Sequence, residues 1–205
     1  MFFVLPEGFV YLDEAVKGVL WDAKYAGYDN FVGEPVDGYR VNRVVGTKQL
    51  ADALNLAQET ARQAGCRLML WDAYRPQRAV DHFVSFCAAP ETGKTKGKHY
   101  PSVDKTQLIP LGYIAARSGH SRGSTIDLTL TDGEGNLLDM GGIFDFMDER
   151  SHHDCPEITP RQSDNRNLLR NIMLGCGFTD YKNEWWHYRL KDEPYPDTYF
   201  DFPIE

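Results

Sequence analysis

Between Thr125 and Leu130 the chain alternates, with Ile126, Leu128 and Leu130 on one side and Thr125, Asp127 and Thr129 on the other. A period of two is that of a strand, and this one is expected to be half-buried. The polar segment before it, from Ser118 in SGHSRGST, carries a flexible glycine and reads as a turn. Asp127 then projects into a polar cleft from a rigid base, and His120, seven residues earlier on the loop, can converge on the same point. By itself this spacing only suggests a metal site.

A second alternating stretch, EWWHYRL from Glu184 to Leu190, is heavy in aromatics and also reads as a strand. His187 and Arg189 share one face, and Trp186, Tyr188 and Leu190 the other. Glu184 lies three residues before His187 and shares its pocket only if the chain bends there. His120, Asp127 and His187 form a two-histidine, one-carboxylate set. Catalytic zinc takes three such protein ligands and keeps a fourth position for water. Glu184 is left over as the base that accepts a proton from that water. The plainer alternative is a core histidine in an aromatic strand.

The bulk properties narrow the class. A chain of 205 residues fits one domain, 1–205, with a sizeable core. An aromatic content of 13% argues against disorder. A formal net charge of -8, with no basic tail, disfavours nucleic acid and anionic membrane as partners. No stretch has the length and apolarity of a membrane-spanning helix. The beginning, MFFVLPEGFVYLDE, lacks a positive n-region, is interrupted at Pro6 and continues into acids, so it is not read as a signal peptide. Cys66, Cys87, Cys155 and Cys176 show no ligand spacing and are expected to be free thiols, which implies a cytoplasmic location. The even count leaves disulfides open.

In chain order, residues 1–46 read as mostly irregular, with Phe9 to Leu12 as a short strand candidate. Asp22, Lys24, Tyr25 and Asn30 are the polar candidates there, unless they merely bind their own loop. Thr47 to Ala64 carries an apolar stripe through Leu50, Ala53, Leu54, Ala57 and Ala61, with Thr47 as cap and Gly65 as terminator: a helix. Arg67 to Trp71 reads as a buried strand. Arg75 then stands where it gives way to a helix entered at Pro76 and running to about Ala88. From there it either reaches a cleft or makes a surface ion pair. Ala89 to Gln107 reads as a polar loop that covers the site or is simply exposed, and His99 within it is expected to face solvent. TDGEGN, Thr131 to Asn136, is a turn. The stretch from Met147 to Ser163 reads as mostly loop, with the tandem His152 and His153 as a metal-site decoy. Asn165 to Cys176 reads as a helix, and the tail from Lys191 as irregular with packed aromatics. The mixture is that of an α+β fold, a central antiparallel sheet with flanking helices and long loops.

The whole chain resembles the zinc D-alanyl-D-alanine dipeptidases of the vancomycin-resistance (VanX) type, grouped with the zinc D,D-carboxypeptidases. Their signature, Ser-x-His-x-x-Gly-x-Ala-x-Asp followed by Glu-x-x-His, is met by Ser118, His120, Gly123, Asp127, Glu184 and His187. WDAKYAGYDNFVGEPVDGY, LWDAYRPQRAV, MGGIFDFMDERSHH and EWWHYRLKDEPYPDTYFDFP also match, so the likeness runs from about residue 7 to the end. It implies one zinc ion per chain on His120, Asp127 and His187, with Glu184 as base. It places the transition-state arginine at Arg75, a pocket tyrosine at Tyr25 and the pocket-wall phenylalanine at Phe83. It makes Asp145 the partner of the substrate ammonium and Ser118 a substrate contact.

Two positions depart from the pattern. Thr125 replaces the signature alanine, and Gly119 replaces a serine that contacts the substrate carboxylate. Space at Gly119 is open to a larger second substrate residue, to water or to Thr125. The implied reaction is hydrolysis of a small dipeptide. A D,D-carboxypeptidase acting on longer cell-wall peptides and a non-catalytic zinc- or peptide-binding module are the alternatives. Resistance and dipeptide salvage, and a monomer or a homodimer, stay equally open.

Overall fold

The computed structural model describes residues 4–205, so the first three residues of the MFFVLPEGFVYLDE stretch lie outside the described residues. In order, the elements are β1 (Phe9–Tyr11), α1 (Leu12–Ala15), β2 (Leu20–Trp21), β3 (Val45–Thr47), α2 (Lys48–Gln63), β4 (Arg67–Asp72), α3 (Gln77–Ala88), α4 (Lys96–His99), β5 (Thr125–Thr131), α5 (Pro160–Gly175), β6 (Phe178–Tyr181) and β7 (Glu184–Leu190). The fold is α+β. Its main sheet has the order β2-β4-β5-β7-β6, and β1 and β3 form a separate antiparallel pair.

The main sheet is antiparallel except at one edge, where β2 runs parallel to β4. Its centre is where sequence periodicity is strongest. Leu68 and Leu70 of β4 stand opposite Leu130 and Leu128 of β5, and Tyr188 of β7 stands opposite Ile126. Partners in register share a face, so these side chains make one apolar surface. All are fully buried, in a core that also takes up Leu50, Leu54, Ala57 and Ala61 of α2 and Leu169 and Met173 of α5. Thr47 caps α2, its Oγ1 accepting from Leu50 N at 3.2 Å. Leu50 and Leu54 then fall one turn apart on the buried face.

Three expectations are corrected here. β5 is not half-buried. All seven of its residues are buried, because loops cover the polar face that carries Thr125, Asp127 and Thr129. The last helix begins at Pro160 and not at Asn165. Thr159 and Gln162 form a reciprocal capping box, Gln162 N donating to Thr159 Oγ1 at 3.3 Å and Thr159 N to Gln162 Oε1 at 2.8 Å. Pro160 supplies the first helical residue and needs no donor there. His99 does not face solvent. It is buried, with Nδ1 3.1 Å from the Asp145 carbonyl, and its own carbonyl accepts from Met147 N at 2.7 Å.

The segment from Ala89 to Gln107 is mostly exposed, one of its two expected roles, and lines no part of the cleft. It contains α4 and a turn at Lys105–Gln107, and Lys105 lies buried over the Phe86 ring. The aromatic tail behaves as expected. Phe202 stacks on Tyr74 with centroids 4.0 Å apart, and the Tyr74 hydroxyl donates to the Phe202 carbonyl at 2.9 Å. Ile204 forms a lone parallel bridge with Tyr39. All four cysteines are free. Among the described residues no helix is long and apolar enough to cross a membrane.

Candidate active site and metal centre

Register decides where the site forms. Asp127 and His187 are direct partners across β5 and β7, so both project from the sheet's polar face. His120 reaches them from the tight turn Gly119–Arg122, which Ser118 caps by accepting from His120 N at 3.3 Å. That turn is tied to the end of β4 by Arg75 N donating to the His120 carbonyl at 3.2 Å. Gly123, with φ +84, closes the turn, and a β-carbon there would lie 2.4 Å from the Phe9 ring.

His120 Nδ1 lies 2.7 Å from the Ala73 carbonyl, which can only accept, so the proton is on Nδ1 and the Nε2 lone pair is presented. Nε2 is 3.4 Å from His187 Nδ1 and 3.3 Å from Asp127 Oδ2, while His187 Nδ1 is 3.0 Å from Asp127 Oδ1. Ligand atoms held about 2.0–2.1 Å from a tetrahedral ion lie roughly 3.3–3.4 Å from one another. The three groups therefore fit a metal in both spacing and chemistry, and they are the one such cluster among the described residues. His152 and His153 stay outside it. Burial drives the His153 pKa down to about 4.

Glu184 reaches the same space because the β7 ladder changes there. Pairing with β5 ends at Asp127 and His187. On the other side, β6 slips from Asp180 opposite Tyr188 to Tyr181 opposite Glu184. This irregularity is the bend that alternation alone requires. It leaves Glu184 Oε2 3.5 Å from His187 Nδ1. Burial pushes the Glu184 carboxyl up to about 7, with His187 pulling it back and Asp127 adding to the rise. A carboxyl in that range accepts and returns protons near neutrality. Burial also acts to raise Asp127, but the adjacent His120 and His187 hold it below the usual carboxylate range.

Arg75 does not make a surface ion pair. Its Nε donates to Asp72 Oδ2 at 2.9 Å, and another guanidinium nitrogen lies 3.4 Å from Asp127. The guanidinium sits over the rings of Tyr25 and Phe83, 5.0 and 5.1 Å from their centroids. At the far side the Tyr25 hydroxyl donates to Asp145 Oδ2 at 2.8 Å. Asp145 has φ 55, the one positive φ outside glycine among the described residues. Burial, reinforced by the Asp127 charge, raises its pKa well above the ordinary value.

Tyr25, Arg75, Phe83, Ser118, His120, Asp127, Asp145, Glu184 and His187 all line one cleft of about 210 Å³. Of the other N-terminal candidates, Lys24 pairs with Asp22 and Asp29, and Asn30 ties its own loop together. The space at Gly119 is not free. A β-carbon there would lie 2.9 Å from Thr125 Oγ1 and 3.3 Å from the Arg122 guanidinium. Sequence reasoning missed Asp72, which braces Arg75 and also accepts from the Tyr39 hydroxyl at 2.6 Å. An acid three residues before a strand-end arginine was the available signal. It also missed Trp186 and Tyr181, which line the cleft.

A family model described as D-ala-D-ala dipeptidase (Peptidase_M15) matches residues 6–205. The chain is 57% identical over 199 residues to a D-alanyl-D-alanine dipeptidase of Streptomyces coelicolor, covering 96% of this chain and 98% of that one. It is 56% identical to one of Enterococcus faecium, over 97% of this chain and 98% of the relative. A protein of the same name from Escherichia coli is 39% identical over 82% of this chain and 77% of its own. The chain is a metallopeptidase, and it belongs to the D-ala-D-ala dipeptidase family.

Proposed function

We propose that the protein hydrolyses free D-alanyl-D-alanine to two molecules of D-alanine, with one zinc ion per chain held by His120, Asp127 and His187. The observation that carries this reading is the placement of Asp145. It is a buried carboxylate without a cationic partner of its own among the described residues, in the same cleft as the three metal-ligating groups and Glu184. A substrate ammonium there supplies the missing countercharge, and an acylated amine cannot. The cleft, at about 210 Å³, is smaller than the roughly 300–1,000 Å³ of drug-sized sites.

When bound, zinc supplies Lewis acidity for a water and for the scissile carbonyl. The protein's groups do the rest. Glu184 takes the proton of the attacking water and returns it to the leaving amine. Arg75, held by Asp72 and the rings of Tyr25 and Phe83, meets negative charge as it develops on the carbonyl oxygen. Asp145 and Tyr25 orient the ammonium, and Ser118 lies where the other end of the substrate binds. Four free thiols and the acidic balance support a cytoplasmic setting without nucleic-acid or membrane partners.

The test is kcat/KM on D-Ala-D-Ala and on N-acetyl-D-Ala-D-Ala, with zinc measured by elemental analysis. The free dipeptide is expected to be preferred by roughly 10²-fold or more, the size of leaving a buried charge unpaired. Comparable rates on both compounds would replace this reading with a carboxypeptidase. Binding without turnover of either would replace it with a non-catalytic module.

A further inference from the structure

The cleft balances its charges at one end only. Arg75 is committed to Asp72 and Asp127, and Asp145 stands ready for an ammonium. A dipeptide also carries a carboxylate. Immediately before the metal ligand His120 the loop offers it only the neutral hydroxyl of Ser118: Gly119 has no side chain, and the Thr125 hydroxyl behind it is fully buried. Arg117, on the same loop, lines the cleft and is exposed, and it has no carboxylate within ion-pair distance among the described residues.

Arg117 is nonetheless placed. Its guanidinium lies over the Tyr199 ring, 4.3 Å from the centroid. That ring is anchored in turn, because Arg122 donates to the Tyr199 hydroxyl at 3.4 Å while gripping Glu193 through two nitrogens at 2.8 Å each. Stacking on a ring leaves a guanidinium's in-plane donors free, and two parallel donors match a carboxylate.

We propose that Arg117 receives the substrate's terminal carboxylate and so sets, with Asp145, the two charged ends that the cleft recognises. The substrate class rests on the dipeptidase reading. Arg117 acts in binding and not in bond cleavage, since the metal-ligating groups and Glu184 occupy the reacting centre.

The experiment compares D-Ala-D-Ala with its C-terminal amide on the zinc-loaded wild type, Arg117→Ala and Arg117→Lys. Arg117→Ala is expected to raise KM for the free dipeptide roughly tenfold, the scale of a partly exposed charged hydrogen bond, with kcat nearly unchanged. KM for the amide should stay where it is, so that the preference for the carboxylate collapses. Arg117→Lys should recover part of it, and high salt should shrink the wild-type preference. Titration calorimetry of both compounds on Glu184→Gln, with and without Arg117→Ala, should show the same pattern in binding. Equal losses on dipeptide and amide, in kinetics and in calorimetry, would overturn the assignment. If the wild type instead favours N-acetyl-D-Ala-D-Ala, the dipeptidase reading fails on its own. The same comparison between that compound and its amide then decides Arg117.

Discussion

Gly119 and Thr125, the two places where the signature is broken, touch each other. The Thr125 hydroxyl lies where a side chain at 119 would begin, on a stiff β-branched residue inside a buried strand. Gly119→Ser should therefore cost about 1–3 kcal/mol by overpacking, read from denaturant midpoints. Adding Thr125→Ala should return most of it; a double variant no more stable than the single one would show that the two positions are independent. Arg75→Ala carries two penalties. Losing a donor to the developing oxyanion should lower kcat by about 10²-fold or more. Leaving the buried Asp72 without its cation should also cost roughly 3–5 kcal/mol of stability. Arg75→Lys, which keeps the charge without the fork, should recover stability more fully than kcat. With Glu184 as the proposed base, Glu184→Gln should keep the metal and lose turnover, and loss of the metal with the activity would make Glu184 a ligand.

At the scale of elements, the strongest periodic signals translate directly. The stripe of α2 and the inner faces of β4, β5 and β7 are what alternation and helical spacing predict, because those side chains meet each other across the core. The polar face of β5 is another matter. Its burial depends on loops remote in sequence, which alternation does not see. The start of α5 was legible in Thr159-Pro160-Arg161-Gln162, but its apolar residues begin only at Leu168, so periodicity alone starts the helix late. Thr159→Ala should cost about 1 kcal/mol in thermal or chemical unfolding.

His153 gives the region between α5 and β6 a pH dependence. Burial, aided by Arg170, holds the folded-state pKa near 4, below the ordinary 6.5. The unfolded chain thus takes up this proton first as pH falls. The stability His153 contributes is intact above about pH 6.5 and is lost progressively down to about 4, to the extent of about 1–3 kcal/mol. The difference between wild type and His153→Gln in unfolding free energy should shift over that window and be flat above it.

For the molecule as a whole, the three groups that fit a metal join the His120 turn to β5 and β7, so metal binding there should be folding energy as well as catalytic equipment. Chelation should lower Tm, by roughly 2–4 °C for each kcal/mol of binding lost in a chain of this size, and zinc should restore it. A variant with His120→Ala and His187→Ala should not respond to chelator; an unchanged response would place the metal elsewhere. The sequence by itself determined the fold class, the central strands and the set His120, Asp127, His187 and Glu184, because those follow from local periodicity and from residue types that only particular chemistry needs together; the places of Tyr25, Arg75, Phe83, Ser118 and Asp145 were legible only through the resemblance to the family. Only the tertiary structure decided how they meet. It brought Glu184 beside His187 through a slipped ladder, set Asp72 behind Arg75, turned His99 inward against Asp145 and filled the space at Gly119 with Thr125. The inward turn of His99 is a contact between distant segments, the approach of Glu184 a local break in a regular pattern and the filling at Gly119 a matter of how the turn folds onto β5, and periodicity records none of them; only the brace on Arg75 left a trace, in the spacing of Asp72 three residues before it.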